Sequence, residues 1–155
     1  MILPLFKFVK ILISLNKSGD IILIEDDADD REIFSSIYSQ LNYQNKLVVF
    51  EDGVAALDYL KNPEVYPFMI ISDINMPRMG GFELREYIFS DDSLSSKCIP
   101  YIFLTTAHDE RSVEKAYKLS IQGYFQKDPS FKAFKEKFKQ IMEYWQNSLI
   151  PSRAL

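Results

Sequence analysis

Four short apolar runs and a fifth strand-like segment, each followed by a stretch with helical spacing, limit this chain more than any other feature. The runs are Ile21–Ile24, Leu47–Phe50, 68–72 and 101–104, and the fifth segment is Gly123–Gln126. An apolar run with no polar alternation suits a strand buried on both faces, as in a parallel sheet. The intervening segments 28–42, 54–61, 82–89 and 109–119 read as helices. In the first of them, Ile33, Phe34, Ile37, Tyr38 and Leu41 recur at the spacing of one helical face. Asn62-Pro63 ends the second. Ser130 is placed to cap a last helix whose inward stripe reads as Phe131, Phe134, Phe138, Ile141 and Trp145. The polar stretch 90–97 reads as a loop. Strict alternation of strand and helix predicts an α/β fold with a five-stranded parallel sheet, doubly wound as a (βα)5 sandwich.

A chain of 155 residues is one domain's worth, assigned here to residues 20–146, with an extension over 1–19 and a short tail over 147–155. Hydrophobic residues make up 47%, enough to exclude disorder as a description of the whole. Cys98 is the single cysteine and His108 the single histidine, which excludes an internal disulfide and a Cys-rich zinc site and speaks against His-based metal chemistry. A net charge of −4 speaks against non-specific nucleic-acid binding. In residues 1–18, Lys7, Lys10, Ser14 and Lys17 fall on one helical face. The lysines interrupt what a signal peptide needs as a continuous core, and the run is too short and too charged to span a bilayer. Three readings stay open: a helix packed on the domain, a basic helix at a membrane surface, and a poorly ordered extension or wrongly assigned start. The lysines at 132, 135, 137 and 139 read as the solvated face of the last helix.

Ligands of open α/β sheets bind beyond the carboxyl ends of the strands. The residues there are Glu25-Asp26-Asp27 after the first run, Asp73 after the third, Thr105 and Thr106 after the fourth, and Lys127 after the fifth. Carboxylates brought this close repel unless a cation lies between them, and a hard divalent ion such as Mg²⁺ is the natural neutraliser. The hydroxyl and the ammonium then stand where phosphoryl oxygens need partners, and a carboxylate so placed can attack phosphorus. Asp29 and Asp30 read as first-turn residues favoured by the helix dipole.

The segments Ile22-Leu23-Ile24-Glu25-Asp26-Asp27, Asp73-Ile74-Asn75-Met76-Pro77, Leu104-Thr105-Thr106 and Gly123-Tyr124-Phe125-Gln126-Lys127 resemble the receiver domain of bacterial two-component response regulators. The resemblance runs from about Asp20 to Trp145. It implies a CheY-like fold and Mg²⁺-dependent transfer of a phosphoryl group from a kinase histidine to an aspartate, followed by slow self-dephosphorylation. Such a protein is not a conventional enzyme, since it catalyses only its own modification. By this resemblance Asp73 is the phosphoacceptor, and Asp26, Glu25, Asp73 and the backbone carbonyl of Asn75 hold the metal. The Asn75 side chain faces the path of the attacking water. Thr105 is the switch hydroxyl, 22 positions before Lys127, the phosphate-binding lysine. Tyr124 is the aromatic switch residue, and Asp27 and Thr106 are auxiliary candidates. Arg31 lies five residues after Asp26, as in many members.

The family usually carries a proline joined by a cis bond directly after the lysine; here Asp128 follows and Pro129 comes one later. Only ten residues follow Trp145, so the expectation is a stand-alone cytoplasmic receiver whose output is a protein contact. The implied partners are a sensor histidine kinase or histidine phosphotransfer protein, a downstream protein, and a second copy through the face of the fourth helix, fifth strand and fifth helix. Two rivals remain: a receiver fold that binds without phosphorylation, and a haloacid-dehalogenase-like phosphatase. The second needs Asp-x-Asp-x-Thr/Val; Asp27-Ala28-Asp29 supplies the first half, but Arg31 stands at the last position. A flavodoxin-like cofactor binder is disfavoured, because residues 25–30 are acidic and would repel a flavin phosphate.

Overall fold

The computed structural model describes residues 17–151. The readings made for residues 1–16 and for the last four residues lie outside that range. The five strands are β1 (Ile21–Ile24), β2 (Leu47–Phe50), β3 (Met69–Ser72), β4 (Tyr101–Thr105) and β5 (Gly123–Gln126), all parallel in the order β2-β1-β3-β4-β5. The main helices are α1 (Ala28–Leu41), α2 (Gly53–Leu60), α3 (Gly81–Ser90), α4 (Glu110–Lys118) and α5 (Phe131–Asn147). The doubly wound sandwich is therefore as the alternation predicted.

Successive strand residues point to opposite faces of the sheet. One face buries Ile21, Leu23, Ile71, Ile102 and Leu104 under α1 and α5. The other buries Ile22, Ile24, Ile70, Tyr101 and Phe103 under α2, α3 and α4. Each fully buried side chain of this size contributes about 1.5–3 kcal/mol relative to exposure, so the central strands, buried along their whole length, anchor the fold. β2 departs from the expectation of two-sided burial. It is an edge strand with one neighbour, and Val49 is 39% exposed.

Three details correct the sequence reading. Phe131 and Ile33, assigned to inward stripes, are exposed at about 40%. Phe131 opens α5, and Ile33 lies in the second turn of α1 beside buried Phe34. Phe131 and Ile33 flank a cavity of about 320 Å³ that Asp30, Thr106 and Lys127 also line. Met142 is fully buried and belongs in the α5 stripe instead. The stretch 90–97 holds a single helical turn, Asp92–Ser95, capped by Asp91 through Leu94 N and anchored by buried Leu94. Four residues are too few for periodicity to reveal.

Asp52 shows how a loop is pinned. Its Oδ1 accepts from Val54 N and Ala55 N, at 2.9 and 3.0 Å, capping α2. Its Oδ2 pairs with the guanidinium of Arg78, whose backbone is left-handed at φ 63°. The bond from Arg78, with the capping amides, holds the Asp52 carboxyl below its ordinary pKa against the opposing effect of burial. A depressed folded-state pKa gives stability that is present above the unfolded value and lost as pH falls through the folded one. Asp52→Ala is expected to cost about 1–2 kcal/mol at pH 7. In urea titrations the gap to wild type should close below pH about 4. A gap that does not change with pH would show that the charge contributes nothing.

Candidate functional site

Backbone pairing carries on past the strand ends and gathers the polar residues at one edge. Asp73 N donates to Ile24 O at 3.0 Å, Glu25 N to Phe50 O at 3.0 Å, and Lys127 N to Thr105 O at 2.9 Å. Because β1 and β3 are neighbours, Glu25 and Asp73 come together at the point where the winding of the sheet reverses. Gly81 lets α3 start against this edge. A Cβ there would stand 2.1 Å from Asp73 O, and Gly81 N donates to Ile74 O at 2.8 Å.

The Asp73 carboxylate is held from two sides. Oδ1 accepts from Ile74 N at 2.6 Å, and Oδ2 accepts from Lys127 Nζ at 2.9 Å. Ser72 Oγ donates to the Asp73 carbonyl at 2.7 Å. One carboxylate oxygen from each of Glu25, Asp26 and Asp73 lies within 4.8 Å of the others. This all-oxygen donor set fits a hard divalent cation such as Mg²⁺ and offers no nitrogen or sulfur ligand. Glu25 is buried, Asp73 half-buried and Asp26 exposed, so the cluster opens to solvent on the Asp26 side.

Lys127 neutralises the inner part of the cluster. Its Nζ donates to Glu25 Oε2 and Asp30 Oδ2, each at 2.6 Å, as well as to Asp73. Burial pulls its pKa down, but the three carboxylates together outweigh burial and hold it above the ordinary lysine value. Burial pushes Glu25 up to about 7; Lys127 pulls it back and the charge on Asp73 adds to the rise. Among the described residues no peptide bond is cis, so Lys127 reaches all three acids with a trans bond to Asp128.

The remaining candidates divide. Thr105 is fully buried at the end of β4, and its Oγ1 accepts from Ala107 N at 3.2 Å. Tyr124 is half-buried; its hydroxyl donates to Ala107 O at 2.7 Å and its ring meets Phe103 edge-on. Burial, with Asp109 and Asp73 adding, raises its pKa. Asn75 is exposed in the loop after β3. The auxiliary candidates border the site: Thr106 lines the cavity beside Asp30 and Lys127. Asp27 caps α1 by accepting from Asp30 N at 3.0 Å, and its own amide donates to Glu25 Oε1. Thr106 is exposed, with its carbonyl 3.1 Å from His108 Nδ1.

Asp30 lies in the first turn of α1 as the sequence predicts, but it is also a partner of Lys127, which the sequence does not show. A first-turn acid is explained well enough by the helix dipole, and its pairing with a lysine 97 positions away leaves no local signal. Arg31 holds the acidic turn itself, with Nη1 donating to Glu25 O at 3.0 Å and Asp26 O at 2.7 Å. Among the described residues no helix is long and apolar enough to cross a membrane.

Comparison with known proteins agrees with this fold. The family model described as the response regulator receiver domain matches residues 21–139. The probable methanogenesis regulatory protein FilR2 of Methanothrix harundinacea is 30% identical over 129 residues, covering 81% of this chain and 82% of that protein. Chemotaxis protein CheY-3 of Vibrio cholerae is also 30% identical, over 83% of this chain and 95% of its own. The crystal structure of the phosphorylated cyanobacterial phytochrome response regulator RcpA superposes with a TM-score of 0.77 at 28% identity, covering 86% of this chain and 99% of that one. That of the Mn(2+)-bound form of response regulator Rcp1 superposes with a TM-score of 0.75 at 26% identity and the same coverage. Strand order, the acidic pocket with its lysine, and the span of the family match lead to one conclusion: the chain belongs to the response regulator receiver domain family.

Proposed function

We propose that this receiver accepts a phosphoryl group on Asp73 from the phosphohistidine of a sensor kinase or phosphotransfer protein, and signals by a protein contact that depends on it. The observation that carries the reading is Lys127 Nζ at 2.9 Å from an Asp73 oxygen whose carboxylate also belongs to the Glu25–Asp26–Asp73 cluster. An Asp73 oxygen attacks phosphorus, the P–N bond breaks, and its electron pair stays on the imidazole nitrogen. Lys127 meets the charge of the transferred group with its ammonium, and Ile74 N keeps the carboxylate oriented. Glu25, Asp26, Asp73 and the Asn75 carbonyl would hold Mg²⁺. When bound, the ion neutralises the carboxylates and polarises the phosphoryl oxygens. The Mn(2+)-bound Rcp1 structure and the phosphorylated RcpA structure support both parts by likeness. Intact mass after incubation with acetyl phosphate is the test. One added phosphoryl group with Mg²⁺, and none in EDTA, is expected. Equal uptake in EDTA would overturn the metal's role.

Output would run through Thr105 and Tyr124 to the surface of α4, β5 and α5. Phosphate on Asp73 draws the Thr105 hydroxyl inward, and Tyr124 gives up its bond to Ala107 O and turns in; phosphorylation shifts the balance between two existing states. That surface would contact a downstream protein or a second copy of the chain, with exposed charges in 111–118 and 132–139 setting the choice. We take residues 20–146 as the receiver, acting in the cytoplasm without nucleic acid, in keeping with the net charge of −4. Thr105→Ala should still take up phosphate but lose most of the amide-shift change over these segments. A change as large as in wild type would remove Thr105 from the switch.

A further inference from the structure

Lys127 has three N–H donors, and all three are committed to carboxylates: Glu25 and Asp30 at 2.6 Å each and Asp73 at 2.9 Å. Two of these acceptors belong to the cluster that suits a cation, and only Asp30 comes from outside it. Asp30 is the rim partner: its side chain is 39% exposed, against 5% for Glu25 and 12% for Asp73. Its backbone is fixed by the bond from Asp30 N to the Asp27 cap, which leaves its carboxylate free to turn toward the lysine. The pair they form lines the cavity edged by Ile33 and Phe131, so Asp30 draws the ammonium toward α1 while Asp73 draws it toward β3.

We propose that Asp30 is a counter-ligand that competes with the phosphoryl group for the Lys127 ammonium, and so sets how readily the site is loaded. The inference rests on the reading of Asp73 as acceptor and goes beyond it by assigning a positioning residue that regulates it. Phosphoryl transfer brings anionic oxygens to Asp73, and these need a donor from Lys127. A cation bound at Glu25, Asp26 and Asp73 offsets the charge of those three carboxylates. It leaves Asp30 as the acid that still holds the lysine by full charge and repels the incoming anion. Removing that one charge while keeping the side chain's size frees Lys127 for the phosphoryl oxygens. Asp30 bonds to Lys127 Nζ and acts on phosphoryl transfer through that lysine.

Beryllofluoride, a phosphoryl mimic, gives an equilibrium readout. With Mg²⁺ held constant, binding is followed by 19F NMR for wild type, Asp30→Asn, Asp30→Glu and Asp73→Asn. The half-saturating concentration for Asp30→Asn should fall about three- to tenfold. The initial rate of labelling by acetyl phosphate should rise in step, and Asp30→Glu should restore wild-type behaviour. A merely structural role for Asp30 would move the melting temperature and leave half-saturation unchanged. Half-saturation unchanged within about twofold, or raised because Asp30 anchors Lys127 productively, overturns the proposal. If wild type binds the mimic and Asp73→Asn does not, only the inference about Asp30 is at stake. If wild type and Asp73→Asn behave alike, the acceptor reading fails and the counter-ligand falls with it.

Discussion

Asp73→Asn is expected to take up no phosphoryl group from acetyl phosphate with Mg²⁺, under conditions where wild type gains one. The amide is almost isosteric, so what changes is chemistry. A neutral carboxamide oxygen is a far poorer nucleophile than a carboxylate, and loss of the nucleophile in such a site costs at least about 10³-fold in rate. The fold should persist. Lys127 keeps Glu25 and Asp30 as partners at 2.6 Å, and Ser72 Oγ still bonds to the backbone carbonyl at position 73. Intact mass at fixed donor concentration, with circular dichroism to verify folding, decides the matter. Labelling of a folded Asp73→Asn protein at the wild-type rate would move the acceptor elsewhere, with exposed Asp26 the first place to look.

Phe138→Ala carries the largest expected loss of stability. Phe138 is 1% exposed. Its ring lies 4.9 Å from Phe34 in an edge arrangement, 6.0 Å from Tyr38 and 6.3 Å from Tyr43, so it ties α5 to α1 above the sheet. Truncating a buried Phe to Ala costs about 3–5 kcal/mol in lost transfer energy and residual cavity. Edge-on aromatic pairs contribute about 0.5–1.5 kcal/mol beyond that area. Against a total stability of about 5–15 kcal/mol, this variant is expected to be near unfolding at 37 °C. Urea denaturation measures the loss, with Phe131→Ala as the exposed comparison, expected within about 0.5 kcal/mol of wild type. A loss below about 1.5 kcal/mol for Phe138→Ala would mean that the helix settles onto the sheet and fills the void.

The sequence alone determined what local patterning can determine. The apolar runs mark strands because a strand inside a parallel sheet carries no polar alternation, as in β1, β3 and β4, and edge strand β2 gives the same signal although Val49 is exposed. Three of the five, β1, β2 and β5, have the residue limits expected from the sequence. The alternation of runs with helical segments dictated a parallel doubly wound sheet, since right-handed crossovers leave few other ways to arrange it. That arrangement places Glu25, Asp73, Thr105 and Lys127 at one edge, where the structure brings them together.

Tertiary structure decided what depends on partners distant in the chain. Phe131 and Phe134 share a helical face in the sequence, yet one is exposed and the other buried, because burial depends on what the fold sets against each position. The edge position of β2 follows from strand order, which β2's own residues do not encode. Asp30 reads as an ordinary first-turn acid until the fold carries Lys127 to within 2.6 Å of it. Charge pairing across 97 positions obeys no local period, so only the folded chain could show that the lysine of this pocket is shared among three acids.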